Sequence, residues 1–230
     1  MKKIVVLTGA GMSAESGLKT FRDEDGLWEG HDVMEVASPK GWRNNQELVL
    51  DFYNQRRAQL LESTPNEGHK LLASLEQHFD CSIITQNVDD LHERAGSSQV
   101  LHLHGELFKV RSTYNENMVY DWRKELTNKD KCPLGSQLRP HIVWFGEAVP
   151  LLEAAIRITR TANILIIIGT SMQVYPAATL VHFAPNGIPI FFIDPKPNID
   201  AGQFSNLTIF EAGAGEGMQQ LSKLLIEQFV

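Results

Sequence analysis

The sequence has two cysteines in 230 residues, no excess of basic charge and no long apolar run, and each of these absences removes a class of function. Cys81 and Cys132 cannot build a disulfide framework, so the economical reading is a reduced, cytoplasmic chain. With 21 Lys and Arg against 28 Asp and Glu, the formal charge is -7, which argues against a general binder of nucleic acid. The longest strongly apolar run is Ile164 to Ile168, far short of the roughly 18 residues of a membrane span. Met1-Lys2-Lys3 opens like a signal peptide, but the apolar stretch Ile4 to Leu7 stops at Thr8-Gly9, so it reads as a first strand. Repeats and low-complexity tracts are absent as well.

What is present is a hydrophobic fraction of 43%, enough for a sizeable core. Ile4 to Leu7, Ser82 to Thr85, Ile164 to Ile168 and Ile188 to Ile193 are nearly continuous in apolar residues, as strands buried on both faces of a parallel sheet must be. Val100 to Leu103 and Ile142 to Phe145 read as further strands. Helical patterns lie between them, at Gln46 to Leu61, Glu67 to Phe79, Leu151 to Thr161, Pro176 to Phe183 and Gly217 to Phe229. Strands alternating with helices predict an α/β fold, a Rossmann-like doubly wound parallel sheet. Residues 1–30, 80–105 and 140–230 are assigned to that domain, and 31–79 and 106–139 to a small helical and irregular lobe inserted into it.

Gly9-Ala10-Gly11-Met12-Ser13-Ala14 follows the first strand and matches G-x-G-x-x-G/A. Such a turn brings backbone N–H groups, and the N-terminus of a following helix, to a pyrophosphate; it can equally be a plain tight turn. The second strand and its acidic residue, usual about 20 positions on, are missing. Thr85-Gln86-Asn87-Val88-Asp89-Asp90-Leu91-His92 puts a polar cluster at the end of another buried strand. Asn87 and Asp89 suit an amide or a ribose, while Asp90 reads as a helix cap. His102 and His104 share a strand face, and Gly105 after His104 favours His104 as the general base. Gly169-Thr170-Ser171 brings N–H groups and hydroxyls to the same sheet edge.

These motifs, with Ser16-Gly17, Phe21-Arg22, His104-Gly105 and Phe145-Gly146-Glu147, resemble the sirtuin family in order and spacing over nearly the whole chain. The resemblance implies an NAD-dependent protein-lysine deacylase acting on acyl-lysine proteins or peptides. Its products would be free lysine, nicotinamide and O-acyl-ADP-ribose. By analogy His104 is the general base, and Asn87 and Asp89 hold the nicotinamide carboxamide and a ribose. Gly9, Ala10, Gly11, Ser13, Phe21, Arg22, Gln86, Gly169, Thr170, Ser171, Asp194 and Ala214 fall at positions that hold the cofactor. Gly146, Glu147, Val174 and Tyr175 match the positions flanking a peptide added as a strand between the lobes. Protein mono-ADP-ribosyl transfer and non-catalytic sensing of NAD or ADP-ribose are the competing functions.

Tyr53 and Arg56, three apart on one helix, share a face. By themselves they read as a packed ring and an arginine reaching solvent. The pair resembles that of the sirtuin class that removes succinyl and malonyl groups, where phenol and guanidinium fork a carboxylate. Most sirtuins also hold zinc on four cysteines in the region of 106–139. Here Cys132 stands alone, with Ser112 and Asn115 where the first pair would fall, so no zinc is expected. Tyr114, Tyr120 and Trp122 are expected to cluster in its place. Asp194-Pro195-Lys196 departs from the family at the adenosine ribose, and Gly213-Ala214-Gly215-Glu216 resembles its adenine-side loop.

Overall fold

The computed structural model describes residues 1–19, 27–28, 30–197, 199, 202, 204 and 206–230. In chain order, β1 (Lys3–Thr8), β2 (Leu27–Trp28) and β3 (His31–Asp32) lead into α1 (Val33–Val36), α2 (Pro39–Asn44), α3 (Gln46–Glu62) and α4 (Glu67–Leu75). β4 (Asp80–Thr85), α5 (Leu91–Ala95) and β5 (Val100–His102) precede β6 (Gly105–Ser112), β7 (Val119–Asp121) and β8 (Leu138–Ile142). The remainder is α6 (Leu152–Thr159), β9 (Ile164–Ile168), a 3-10 segment (Ala177–Phe183), β10 (Ile190–Ile193), β11 (Leu207–Phe210) and α7 (Ala214–Phe229). None of the described helices is long and apolar enough to cross a membrane.

Six strands form one parallel sheet in the order β11-β10-β9-β1-β4-β5. Counted along the chain, that is the doubly wound order, which reverses between β1 and β9. Alternation along β1 sorts the core into two layers. Ile4 and Val6 pack with Leu72 and Leu75 of α4 and Met218, Leu221 and Leu225 of α7. Val5 and Leu7 face the other way, onto Ala155 and Ile156 of α6 and Leu180 and Val181 of the 3-10 segment. Although α4 lies within residues 31–79, its apolar side therefore belongs to the core beneath the large sheet.

The second lobe is not irregular. β7-β6-β8 make an antiparallel sheet, and Ile142 ends β8 rather than starting a strand to Phe145. The lobe has its own core, in which Phe52, Tyr53 and Leu60 of α3 pack on Leu107 and Val110 of β6 and on Trp144. Asn54 of α3 donates to the Leu126 carbonyl at 3.0 Å and accepts from the Leu126 N–H at 2.8 Å. The two hydrogens of the Gln137 amide nitrogen are shared among the carbonyls of Thr127, Asp130 and Leu138, at 3.0, 3.2 and 2.9 Å.

These bonds order the region where a zinc would sit. The buried Cys132 thiol accepts from the Ser112 hydroxyl at 3.4 Å, and the described residues contain no group of three or more His, Cys, Asp or Glu able to hold a metal. Tetrahedral zinc needs four such ligands, so this donor set does not fit the ion. The expected aromatic cluster does not form either. Tyr114 is 77% exposed, while Tyr120 and Trp122 lie at the edge of the lobe core. Tyr114 sits in the turn between β6 and β7, where its ring has nothing to bury against.

Candidate active site

The loops after β1 and β9 meet at the switch point of the sheet, where an open α/β sheet forms its crevice. Gly9 donates to the Ile168 carbonyl at 3.0 Å and Gly11 to the Gly169 carbonyl at 2.8 Å. A Cβ on Gly11 would lie 2.6 Å from Gly169 Cα, so only glycine permits this approach. Among the described residues no α-helix directly follows β1, contrary to expectation. Two 3-10 turns, Ala10–Met12 and Ala14–Ser16, take its place, so the nucleotide would meet a short turn rather than a full helix N-terminus. The real helix start nearby, that of α7, is already served: Gly215 N–H donates to Glu15 Oε1 at 3.1 Å.

Ser13 links this turn to the loop after β4. Asn87 Nδ2 donates to Ser13 Oγ at 3.1 Å, and Ser13 Oγ donates to Asp89 Oδ2 at 2.9 Å. The side-chain carbonyl of Asn87 is left as the acceptor for an incoming amide. Burial pushes the Asp89 carboxyl up, against the Ser13 and Leu91 donors that favour its ionised form. Asp90 sits at the N-cap of α5 as expected, but its side chain makes no cap bond, and Leu91 N–H donates to Asp89 Oδ1 at 3.2 Å. Asp90 instead pairs with Arg94 at 3.5 Å and Arg123 at 3.2 Å, because two guanidiniums hold its carboxylate outward.

The two histidines separate. β5 ends at His102, and Leu103 and His104 make the turn into β6, where Gly105 takes φ +85°. His102 donates from Nδ1 to the Asn87 carbonyl at 3.1 Å, and its Nε2 lies 2.7 Å from Glu93 Oε1. Burial alone would lower its pKa, but Glu93 more than reverses this and favours the charged ring, which braces the Asn87 loop. His104 contacts only a carbonyl through Nδ1, that of Gln86 at 3.0 Å. A carbonyl only accepts, so Nδ1 carries the proton and Nε2 keeps its lone pair. Burial lowers the pKa of His104 and so favours the neutral ring, opposed in part by the Gln86 contact.

These groups line one cleft of about 650 Å³. On the sheet side it is walled by Gly9, Ala10, Gly11 and Ser13, by Gln86, Asn87 and Asp89, and by Gly169, Thr170, Ser171 and Asp194. His104, Tyr53 and Arg56 wall the lobe side, and Gly146, Glu147, Val174 and Tyr175 the mouth. Gln86 Nε2 donates to Thr170 Oγ1 at 3.2 Å, joining two of these loops. Ala214 is not on the wall: it is 3% exposed in the core, and Gly213 before it lines the cleft. Phe21 and Arg22 lie outside the described residues.

Glu147 faces inward. Its carboxylate accepts from Arg139 at 2.7 and 3.0 Å, from Arg111 at 3.2 Å and from Trp144 N–H at 2.8 Å. Burial raises its pKa, but the two arginines and the Trp144 N–H bring it below the usual value. Only the main chain of Gly146-Glu147 is thereby left for a peptide. Sequence reasoning missed Trp144 and Glu15. A tryptophan inside His141-Ile142-Val143-Trp144-Phe145 looks like core, and nothing local tells Glu15 from a surface acid.

Residues 9–176 match the Sir2 family. The chain is 60% identical over 227 residues to an NAD-dependent protein deacylase of Helicobacter pylori, covering 99% of each. It is 53% identical over 232 residues to an NAD-dependent protein deacylase of Bacteroides thetaiotaomicron, covering 98% of this chain and 99% of that one. A solved Sir2 homologue in complex with NAD superposes with a TM-score of 0.87 at 40% identity, over 98% of this chain and 90% of the other.

Proposed function

The chain belongs to the Sir2 family and is an NAD-dependent protein-lysine deacylase, and we propose that the acyl groups it removes include succinyl and malonyl beside acetyl. The observation that carries this reading is Tyr53 and Arg56 on the wall of the cleft that also holds His104. An arginine binds a carboxylate with two parallel N–H bonds, and a phenol adds a third donor.

NAD, when bound, supplies an electrophilic anomeric carbon with nicotinamide as its leaving group. The Gly9 and Gly11 N–H groups are spent on the Ile168 and Gly169 carbonyls, so these glycines would let the phosphates come close to the turn, while the Ala10 N–H, Thr170 and Ser171 would supply the hydrogen bonds. Asp194 accepts from a ribose hydroxyl at the adenosine end. Asn87, held by Ser13, takes the carboxamide, and Asp89 anchors that pair from behind. His104 Nε2 is the base that accepts the proton of a ribose hydroxyl. The peptide lies as an added strand between Gly146-Glu147 and Val174-Tyr175, bound through its main chain.

The test is mass spectrometry of one peptide carrying acetyl-lysine or succinyl-lysine, with and without NAD. NAD-dependent loss of succinyl that Arg56→Met removes, with acetyl loss surviving, is expected. Equal loss of succinyl in Arg56→Met and parent would defeat the acidic-acyl reading. ADP-ribose retained on the peptide would point to transfer instead.

A further inference from the structure

Tyr53 is 1% exposed, so its hydroxyl depends on the partners the protein provides. The oxygen accepts from Trp144 Nε1 at 3.0 Å. Its own hydrogen is thereby turned away from the indole, and among the described residues no acceptor receives it. Burial raises the phenol pKa far above its ordinary value, so that hydrogen stays on the oxygen. The cleft wall beside it is Arg56, which can only donate.

The indole is itself fixed. Arg139 lies over its ring, 3.3 Å from the centroid, and Trp42 packs at 5.7 Å. Arg139 is in turn held by both oxygens of Glu147 and donates to the Ile142 carbonyl at 2.9 Å. A stacked guanidinium fixes the ring plane, and the ring plane fixes the direction of the N–H.

We propose that Trp144 is a positioning residue for acyl specificity: by donating to the Tyr53 oxygen it makes the Tyr53 hydroxyl a donor to the cleft, so the end of the acyl pocket offers only donors. A carboxylate accepts from the Tyr53 hydroxyl there; a methyl group leaves that hydroxyl hydrogen without an acceptor. This rests on the acidic-acyl reading above.

The test measures kcat/KM for succinyl and acetyl peptides in the parent, Trp144→Phe, Tyr53→Phe and the double variant. Trp144→Phe should lower the succinyl-to-acetyl ratio by about tenfold, mainly through KM for the succinyl peptide, the size of a hydrogen bond to a charged group. The double variant should be no worse than Tyr53→Phe, because both changes act on one hydroxyl. Should Trp144→Phe fold poorly, β-(3-benzothienyl)-alanine at position 144 keeps the bicyclic shape, with sulfur in place of the N–H, and should give the same fall. An unchanged ratio, or additive losses in the double variant, overturns the proposal. Arg56→Met, run alongside, separates the two readings. If it abolishes succinyl preference while both Trp144 variants keep it, only the role of Trp144 fails; if the parent has no preference, both fail.

Discussion

Ser13 Oγ donates to Asp89 Oδ2 across 2.9 Å, fastening the glycine turn after β1 to the polar loop after β4. It also accepts from Asn87, so one hydroxyl satisfies two buried groups. Ser13→Ala leaves both without that partner, at a cost of about 1–3 kcal/mol. The expected result is a lower Tm together with a raised KM for NAD. A lower Tm at unchanged KM would limit Ser13 to holding the loops together.

His104 must be neutral to act as a base, and burial places its pKa below the ordinary 6.5. Turnover should hold from about pH 8 down to 6.5 and decline only at lower pH, where the ring takes up a proton. His104→Ala should abolish acyl removal while NAD still binds, as read by calorimetry. Acyl removal surviving in that variant would refute the assignment.

Away from the cleft, His69 and His92 pack edge to face with centroids 4.8 Å apart. Burial lowers His69 to about 4, partly offset by Glu93, and lowers His92 well below 6.5. Both are depressed, so the fold favours the neutral rings. Their contribution to stability is complete above about pH 6.5 and is lost as pH falls toward and through the folded values. His69 also takes part in a capping box with Asn66, a position that glutamine fills as well. His69→Gln should therefore flatten the fall of Tm between about pH 6.5 and 4. An equally steep fall in the variant would place the sensitivity elsewhere.

Elemental analysis of the purified protein should find far less than one zinc per chain, and a chelator should leave Tm unmoved. Asn54→Ala should lower Tm instead, since it breaks both bonds that tie Leu126 to α3. Stoichiometric zinc would contradict this account of the lobe.

The parallel sheet and its crevice were legible because strands buried on both faces cannot hide: Ile164 to Ile168 admits no other environment. The position of His104 at the turn out of the strand was legible from the glycine behind it. The lobe sheet was not, because β6 carries Glu106, Lys109 and Arg111 among its apolar residues and β8 contains Pro140, and their pairing depends on partners about 30 residues apart. Whether Asp89 or Asp90 served the helix was also beyond the sequence, since Arg94 and Arg123 decide it, one of them from another lobe. For Tyr53 the pattern showed the helix face but not the indole that orients the hydroxyl.

β1 lies between two strands that come much later in the chain, pairing Ile4 with Cys81 on one side and with Ile164 on the other. During synthesis the first strand emerges early and waits for both neighbours, the second about 160 residues behind it. Closing such a long loop is slow, and an unpaired apolar strand is open to wrong pairing meanwhile. The two loops that lace the cleft, at Gly9 to Gly11 and at Gly169, cannot meet until β9 has docked. Nascent chains released before Ile164 thus carry an exposed β1 edge and no cleft, and nucleotide affinity appears as a late event in the maturation of the polypeptide.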